Sequence, residues 1–178
     1  MRVVQELERA TLLLREGVSC KLIPEDGMEI GYAIPHAKNV DDVCITVIHI
    51  EKHGLSIRSP AFSSCPSSRV VSSILTALRF SPDLRCACSI RYSETLRTIT
   101  DDMMLEACTI DAEKIPPGLS TMDWAVVFCT KEQSALPDLL FIQKAHEHTY
   151  EARLFGESPG SIATNLLKIS QRISDATL

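Results

Sequence analysis

Val43-Cys44-Ile45-Thr46-Val47-Ile48-His49-Ile50-Glu51-Lys52-His53-Gly54-Leu55-Ser56-Ile57-Arg58 reads as two strands around a tight turn. Its first half is rich in β-branched residues, the types that suit a pleated, half-buried surface. His53-Gly54 then supplies the turn, because glycine tolerates backbone angles that other residues avoid. A hairpin makes the pairing antiparallel, so a purely parallel sheet is excluded.

Upstream of the hairpin, Pro24-Glu25-Asp26-Gly27 signals a turn and Ile30-Gly31-Tyr32-Ala33-Ile34 a further strand. Val3, Leu7, Ala10 and Leu14 recur at helical spacing, which predicts an amphipathic first helix ending near Gly17. Downstream, Ser63-Ser64-Cys65-Pro66-Ser67-Ser68 is small and polar and opens into Val70, Val71, Ile74, Leu75 and Leu78, again at helical spacing. Residues 86–90 and 105–110 read as strands around a helix at 94–101, and Pro116-Pro117-Gly118 breaks the chain. A helix over 122–131, strands at 139–142 and 150–155, and a closing helix with Ser158 as N-cap and Pro159 at its first position complete the pattern. Helices and strands interleave, so the class is α/β with antiparallel pairing.

A chain of 178 residues suits one domain over 1–178, and 45% hydrophobic with 23% charged residues is ordinary globular composition. No run approaches the roughly 18 apolar residues of a membrane span, and the first residues carry charge where a leader would be apolar. A cytoplasmic protein without membrane partners is expected. Net charge −5, with 18 dispersed Lys and Arg, argues against a nucleic-acid surface on this chain. The seven cysteines are odd in number and mostly inside apolar runs, which predicts reduced core residues.

Chemistry concentrates in Cys65-Pro66-Ser67-Ser68-Arg69. A helix N-terminus carries unpaired N–H groups and about half a positive charge, so a small-residue loop entering it favours anions. Ser67 and Ser68 add hydroxyl donors, and Arg69 adds a planar cation suited to phosphate. The alternative is that Ser and Pro merely cap the helix.

Ile30-Gly31-Tyr32-Ala33-Ile34-Pro35, Ile74-Leu75-Thr76-Ala77-Leu78-Arg79-Phe80 and Ser89-Ile90-Arg91-Tyr92-Ser93-Glu94 together resemble the ThiN family of thiamine-phosphate synthase domains. Trp124 after Ser120-Thr121 and Pro137-Asp138 before a strand are similar too. The resemblance implies a three-layer α/β/α fold with a mixed, mostly antiparallel sheet like that of the class II aldolases and epimerases. It also implies a small phosphorylated ligand of the thiamine phosphate class, no cofactor, a homodimer, and a fused or separate DNA-binding domain in the archaeal regulators of the family. Site residues implied are Ser67, Ser68, Arg69 and Arg91, with Gly31 and Tyr32 as site walls.

Departures from the enzymatic branch fall where catalysis needs polar groups. Its loop resembles Gly-Ala-Ser-x-His, and Arg69 stands here in place of the histidine. An arginine stays cationic and exchanges no proton near neutral pH. A second family arginine falls near Thr46, and an Asp-Arg-Gly-Asp-like segment is replaced by Ile142-Gln143-Lys144-Ala145-His146-Glu147-His148-Thr149. These losses resemble the sensor branch of thiamine regulators, with a modified synthase and a ligand-free dimerisation domain as alternatives. His146 and His148 have a zinc-like alternate spacing, but no third ligand stands near them, so no metal is expected.

Overall fold

The computed structural model describes residues 2–144 and 149–176. The expected hairpin sits at one edge of a single eight-stranded sheet: β2 (Val43–Glu51) pairs antiparallel with β3 (Gly54–Ile57). Glu51 faces Gly54 across the ladder, leaving Lys52-His53 as the two-residue turn, and Gly54 takes φ +132°. A Cβ would strain that angle, which explains the glycine.

β1 (Met28–Ala33) lies between β2 and β5 (Cys86–Arg91), and β5 pairs with β8 (Thr149–Gly156), which pairs with β7 (Leu139–Lys144). All of these pairings are antiparallel. Only the last, between β7 and β6 (Ala107–Asp111), is parallel among the described strands. The order is β3-β2-β1-β5-β8-β7-β6, with the short β4 (Ala61–Phe62) added beside β2. Two residues give no alternating pattern, so β4 is not legible from sequence.

Five α-helices among the described residues cover the two faces. α1 (Arg2–Gly17) packs against α5 (Pro159–Asp175), with α3 (Glu94–Asp102) beside α5. Their shared core holds Leu7, Leu14, Ile30, Cys88, Leu154 and Leu166. On the opposite face, α2 (Arg69–Ala77) and α4 (Thr121–Gln133) bury Val70, Ile74, Ala87, Ala125, Leu140 and Phe155. The result is the three-layer α/β/α arrangement with a mostly antiparallel mixed sheet. Strand alternation explains it, since neighbouring residues such as Ala87 and Cys88 feed opposite cores.

The expectation of seven reduced core cysteines is corrected. Cys108 of β6 and Cys129 of α4 form a disulfide with their Cα atoms 5.9 Å apart. The pairing arises because α4 lies across β6 and β7, a contact that a 21-residue separation does not advertise. Cys20 and Cys65 are exposed, while Cys44, Cys86 and Cys88 are buried thiols as expected. No described helix is long and apolar enough to cross a membrane.

Candidate functional site

Ser68 is the N-cap of α2: its extended backbone precedes the helix and its hydroxyl oxygen accepts from the Val71 N–H at 3.1 Å. The same hydroxyl donates to Glu29 Oε1 in a close contact, tying the helix start to β1. The N–H groups of Arg69 and Val70 meet no acceptor among the described residues. They are the orphan donors that a helix start presents to an anion. Cys65, Ser67 and Arg69 are exposed, so the loop is open to solvent. Cys65 Sγ lies 3.0 Å from the Ser67 hydroxyl, and that hydrogen bond lowers the thiol pKa.

α4 brings a second helix start to the same place. Ser120 is its N-cap, accepting from the Asp123 N–H at 3.5 Å. Asp123 in turn accepts from the Ser72 hydroxyl at 3.4 Å and from Thr76 in a close contact, which sets the two helices side by side. Between their N-termini lies a cleft of about 220 Å³ lined by Ser67, Ser68, Arg69, Ser72, Ser120 and Thr121. A more open groove of about 490 Å³ between α3 and α5 is walled by Glu94, Asp102 and Asp175 against one Arg172. Its acidic lining repels phosphate, so the smaller cleft is the candidate.

Beneath the start of α2 the sheet itself is charged. β1 and β8 begin at this end while β5 and β7 finish there, and alternation turns Glu29, Ser89, Arg91, Lys144, Glu151 and Arg153 toward the α2 side. Three cations converge on Glu151. Lys144 Nζ is 2.6 Å from its Oε1, Arg69 touches the same oxygen, and Arg153 Nη2 is 3.5 Å from Oε2. Arg153 is only 5% exposed. Desolvation brings its guanidinium down to about 10, so it keeps its charge at neutral pH.

The residues expected at the site are therefore distributed unevenly. Ser67, Ser68 and Arg69 line the cleft together. Arg91 shares the sheet face, but its head group pairs with exposed Glu25 at 3.5 Å. Gly31 lies under α2, where an added Cβ would come 2.7 Å from Ile74 Cδ1, so it supports the helix from behind. Tyr32 points to the other layer, against the α1 core, with the Arg85 guanidinium 4.6 Å from its ring. The structure does not bring Tyr32 to the cleft. Thr46, near which the resemblance to the family led us to expect an arginine, is fully buried and donates to the Arg58 carbonyl at 2.5 Å.

Sequence reasoning missed Glu29, Glu151, Arg153, Ser120 and Thr121. A signal existed for one pair: Glu151 and Arg153 alternate with apolar residues in a strand, an arrangement that places two charges on one sheet face. His146 and His148 lie outside the described residues.

Residues 6–168 match the family model described as thiamine-phosphate synthase ThiN. The chain belongs to the ThiN family. It is 27% identical over 144 residues to the bifunctional thiamine biosynthesis protein ThiDN of Methanocaldococcus jannaschii, covering 79% of this chain and 34% of that protein. This ThiN domain thus spans about a third of that relative's length. In fold it is similar to the crystal structure of the C-terminal domain of protein MJ0236, at TM-score 0.87 and 24% identity over 99% of this chain and 97% of the other. The C-terminal domain of a phosphomethylpyrimidine kinase superposes at TM-score 0.82 and 23% identity, covering 96% and 98%. An aldolase II superfamily protein from Pseudomonas syringae matches at 0.53 and 10%, covering 99% and 75%, which places the ThiN fold beside the class II aldolases.

Proposed function

We propose that this ThiN domain binds the phosphoryl group of a thiamine phosphate or one of its precursors in the cleft between α2 and α4, as a ligand sensor in thiamine metabolism. One observation carries the reading: the N-termini of two helices, the hydroxyls of Ser67 and Ser120, and the Arg69 cation face one 220 Å³ space. Backbone N–H groups and a positive dipole end favour negative charge from each helix, and Arg69 adds a bidentate donor. Size agrees, since the cleft suits a phosphoryl group and its attachment while the organic part extends outward.

A sensor is favoured over a synthase by the residue at the helix start. Joining a pyrimidine diphosphate to a thiazole phosphate calls for a departing diphosphate and a cationic pyrimidine to be stabilised. Among the described residues lining the cleft none is an imidazole, and Arg69 holds its proton throughout the accessible pH range. A cytoplasmic homodimer is part of the same proposal; Leu12 and Leu13, 59% and 58% exposed on α1, offer it an apolar surface.

Thermal melts with thiamine phosphate, thiamine diphosphate and the thiazole phosphate test the reading. A ligand at 100 times its Kd should stabilise the domain by about 2.7 kcal/mol. Arg69→Ala should remove most of the shift. Absence of any shift would leave assembly as the remaining role, and robust turnover of pyrimidine diphosphate with thiazole phosphate would restore the synthase.

A further inference from the structure

We infer that the Cys108–Cys129 disulfide is a redox control on this cleft, fixing the α4 half of the site when oxidised and loosening it when reduced to two thiols. The inference rests on the anion-binding reading above and concerns the regulation of the same site. The bridge ties Cys108 of β6 to Cys129 in the later turns of α4. Between the two cysteines the chain runs through Pro116-Pro117-Gly118 into the start of α4, so the ring that the disulfide closes contains Ser120, Thr121 and Met122. These are the residues that α4 and its cap bring to the cleft.

The segment inside the ring is lightly held. β6 is an edge strand, paired with β7 alone among the described strands. Residues 116–120 are exposed, and the Ile115 and Leu119 N–H groups bond back to the Ala112 and Pro116 carbonyls of the same segment. Without the bridge α4 keeps the burial of Met122, Ala125 and Val126, and the Asp123 carboxylate that accepts from Ser72 and Thr76. Reduction therefore leaves the fold standing and removes the covalent constraint on where Ser120 and Thr121 lie. The unbridged segment samples more positions, and an anion that needs one of them must order it, which lowers affinity.

The chemistry is thiol–disulfide exchange with a dithiol. Cys108 is the more accessible partner, 7% exposed at the sheet edge against 0% for Cys129, and local opening of an edge strand admits a small reductant. A thiolate of the reductant attacks Cys108 Sγ, and Cys129 Sγ leaves as a thiolate and takes a proton. The second thiolate of the reductant then displaces Cys108 Sγ, which is protonated in turn. Two electrons pass from the dithiol, which closes to its own disulfide, and the protein gains two thiols. The buried free thiols Cys44, Cys86 and Cys88 belong to the opposite layer, so this exchange acts on the face that carries the cleft.

Linkage supplies two readouts, because a bridge that tightens anion binding must itself be protected by the anion by the same factor. In calorimetric titrations with inorganic phosphate, at a temperature where both forms are folded, the dithiol-reduced protein should show a Kd about fivefold higher than the oxidised protein. Cys108→Ser/Cys129→Ser should bind as the reduced form does and ignore the dithiol, which separates the bridge from the exposed thiols of Cys20 and Cys65. In a dithiol redox buffer, saturating phosphate should shift the bridge toward the oxidised form by about the same fivefold factor. Equal Kd values for the two forms, or a bridge equilibrium indifferent to phosphate, overturn the inference and leave the anion site standing. A reduced protein that no longer melts cooperatively overturns it too, since the bridge is then a staple of the fold and not a control on the cleft. No phosphate binding by either form overturns the anion site and the inference together.

Discussion

The Ser68 hydroxyl joins α2 to β1 by donating to Glu29 while it accepts from the Val71 N–H in the first turn of its own helix. One side chain thereby sets both the start of the helix and its position on the sheet.

Removing that hydroxyl should therefore cost more than an exposed cap. Ser68→Ala loses a helix N-cap and a bond to a carboxylate, a loss of about 1–2 kcal/mol read by urea unfolding. Ser68→Thr keeps both interactions and should recover most of it. Equal loss in the two variants would mean that the hydroxyl is not the cause.

Gly31 is predicted to tolerate no branched side chain. Its Cβ would meet Ile74 Cδ1 at 2.7 Å and Val70 Cγ1 at 3.1 Å, in a layer where both partners are buried. Gly31→Val should destabilise by about 1–3 kcal/mol through overpacking, and Gly31→Ala by less, since the Ile74 methyl can move. Denaturant midpoints for the two variants check the order.

The Cys108–Cys129 bridge closes a 21-residue separation that includes the start of α4. Cross-linking a loop of this length restricts the unfolded chain, and reduction should cost about 3 kcal/mol. A thiol reductant should lower the melting temperature of the native protein and leave that of Cys108→Ser/Cys129→Ser unchanged.

Acid should reach Asp42 late. Its carboxylate accepts from the Lys38 and Asn39 N–H groups at 2.8 and 2.9 Å, bonds that lower its pKa from 3.8. A depressed folded pKa means that the stabilisation is fully present above pH 3.8 and is lost as pH falls through the lower folded value. Asp42→Ala should lower stability at pH 7 and flatten the curve below pH 3.8, as read by unfolding at a series of pH values.

Much of the architecture was legible because it is written locally. Period-2 alternation, glycine at the hairpin, and Ser68, Ser93, Ser120 and Ser158 at helix starts all act within a few residues. The same locality singled out Cys65 to Arg69, and four of those residues, Pro66 to Arg69, line the cleft.

Long-range placement was not written there. Alternation says that Gly31 and Tyr32 face opposite ways but not which way the cleft lies, and only the packing of α2 shows Tyr32 on the far side. Glu151 meets Arg69 because β8 was drawn between β5 and β7, and α4 reaches the cleft because Asp123 accepts from Thr76. By itself, the chain determined which segments become strands and helices and where one helix start gathers hydroxyls. Tertiary structure decided which distant charges and which second helix join it, since burial brings together groups whose sequence separation carries no local energy.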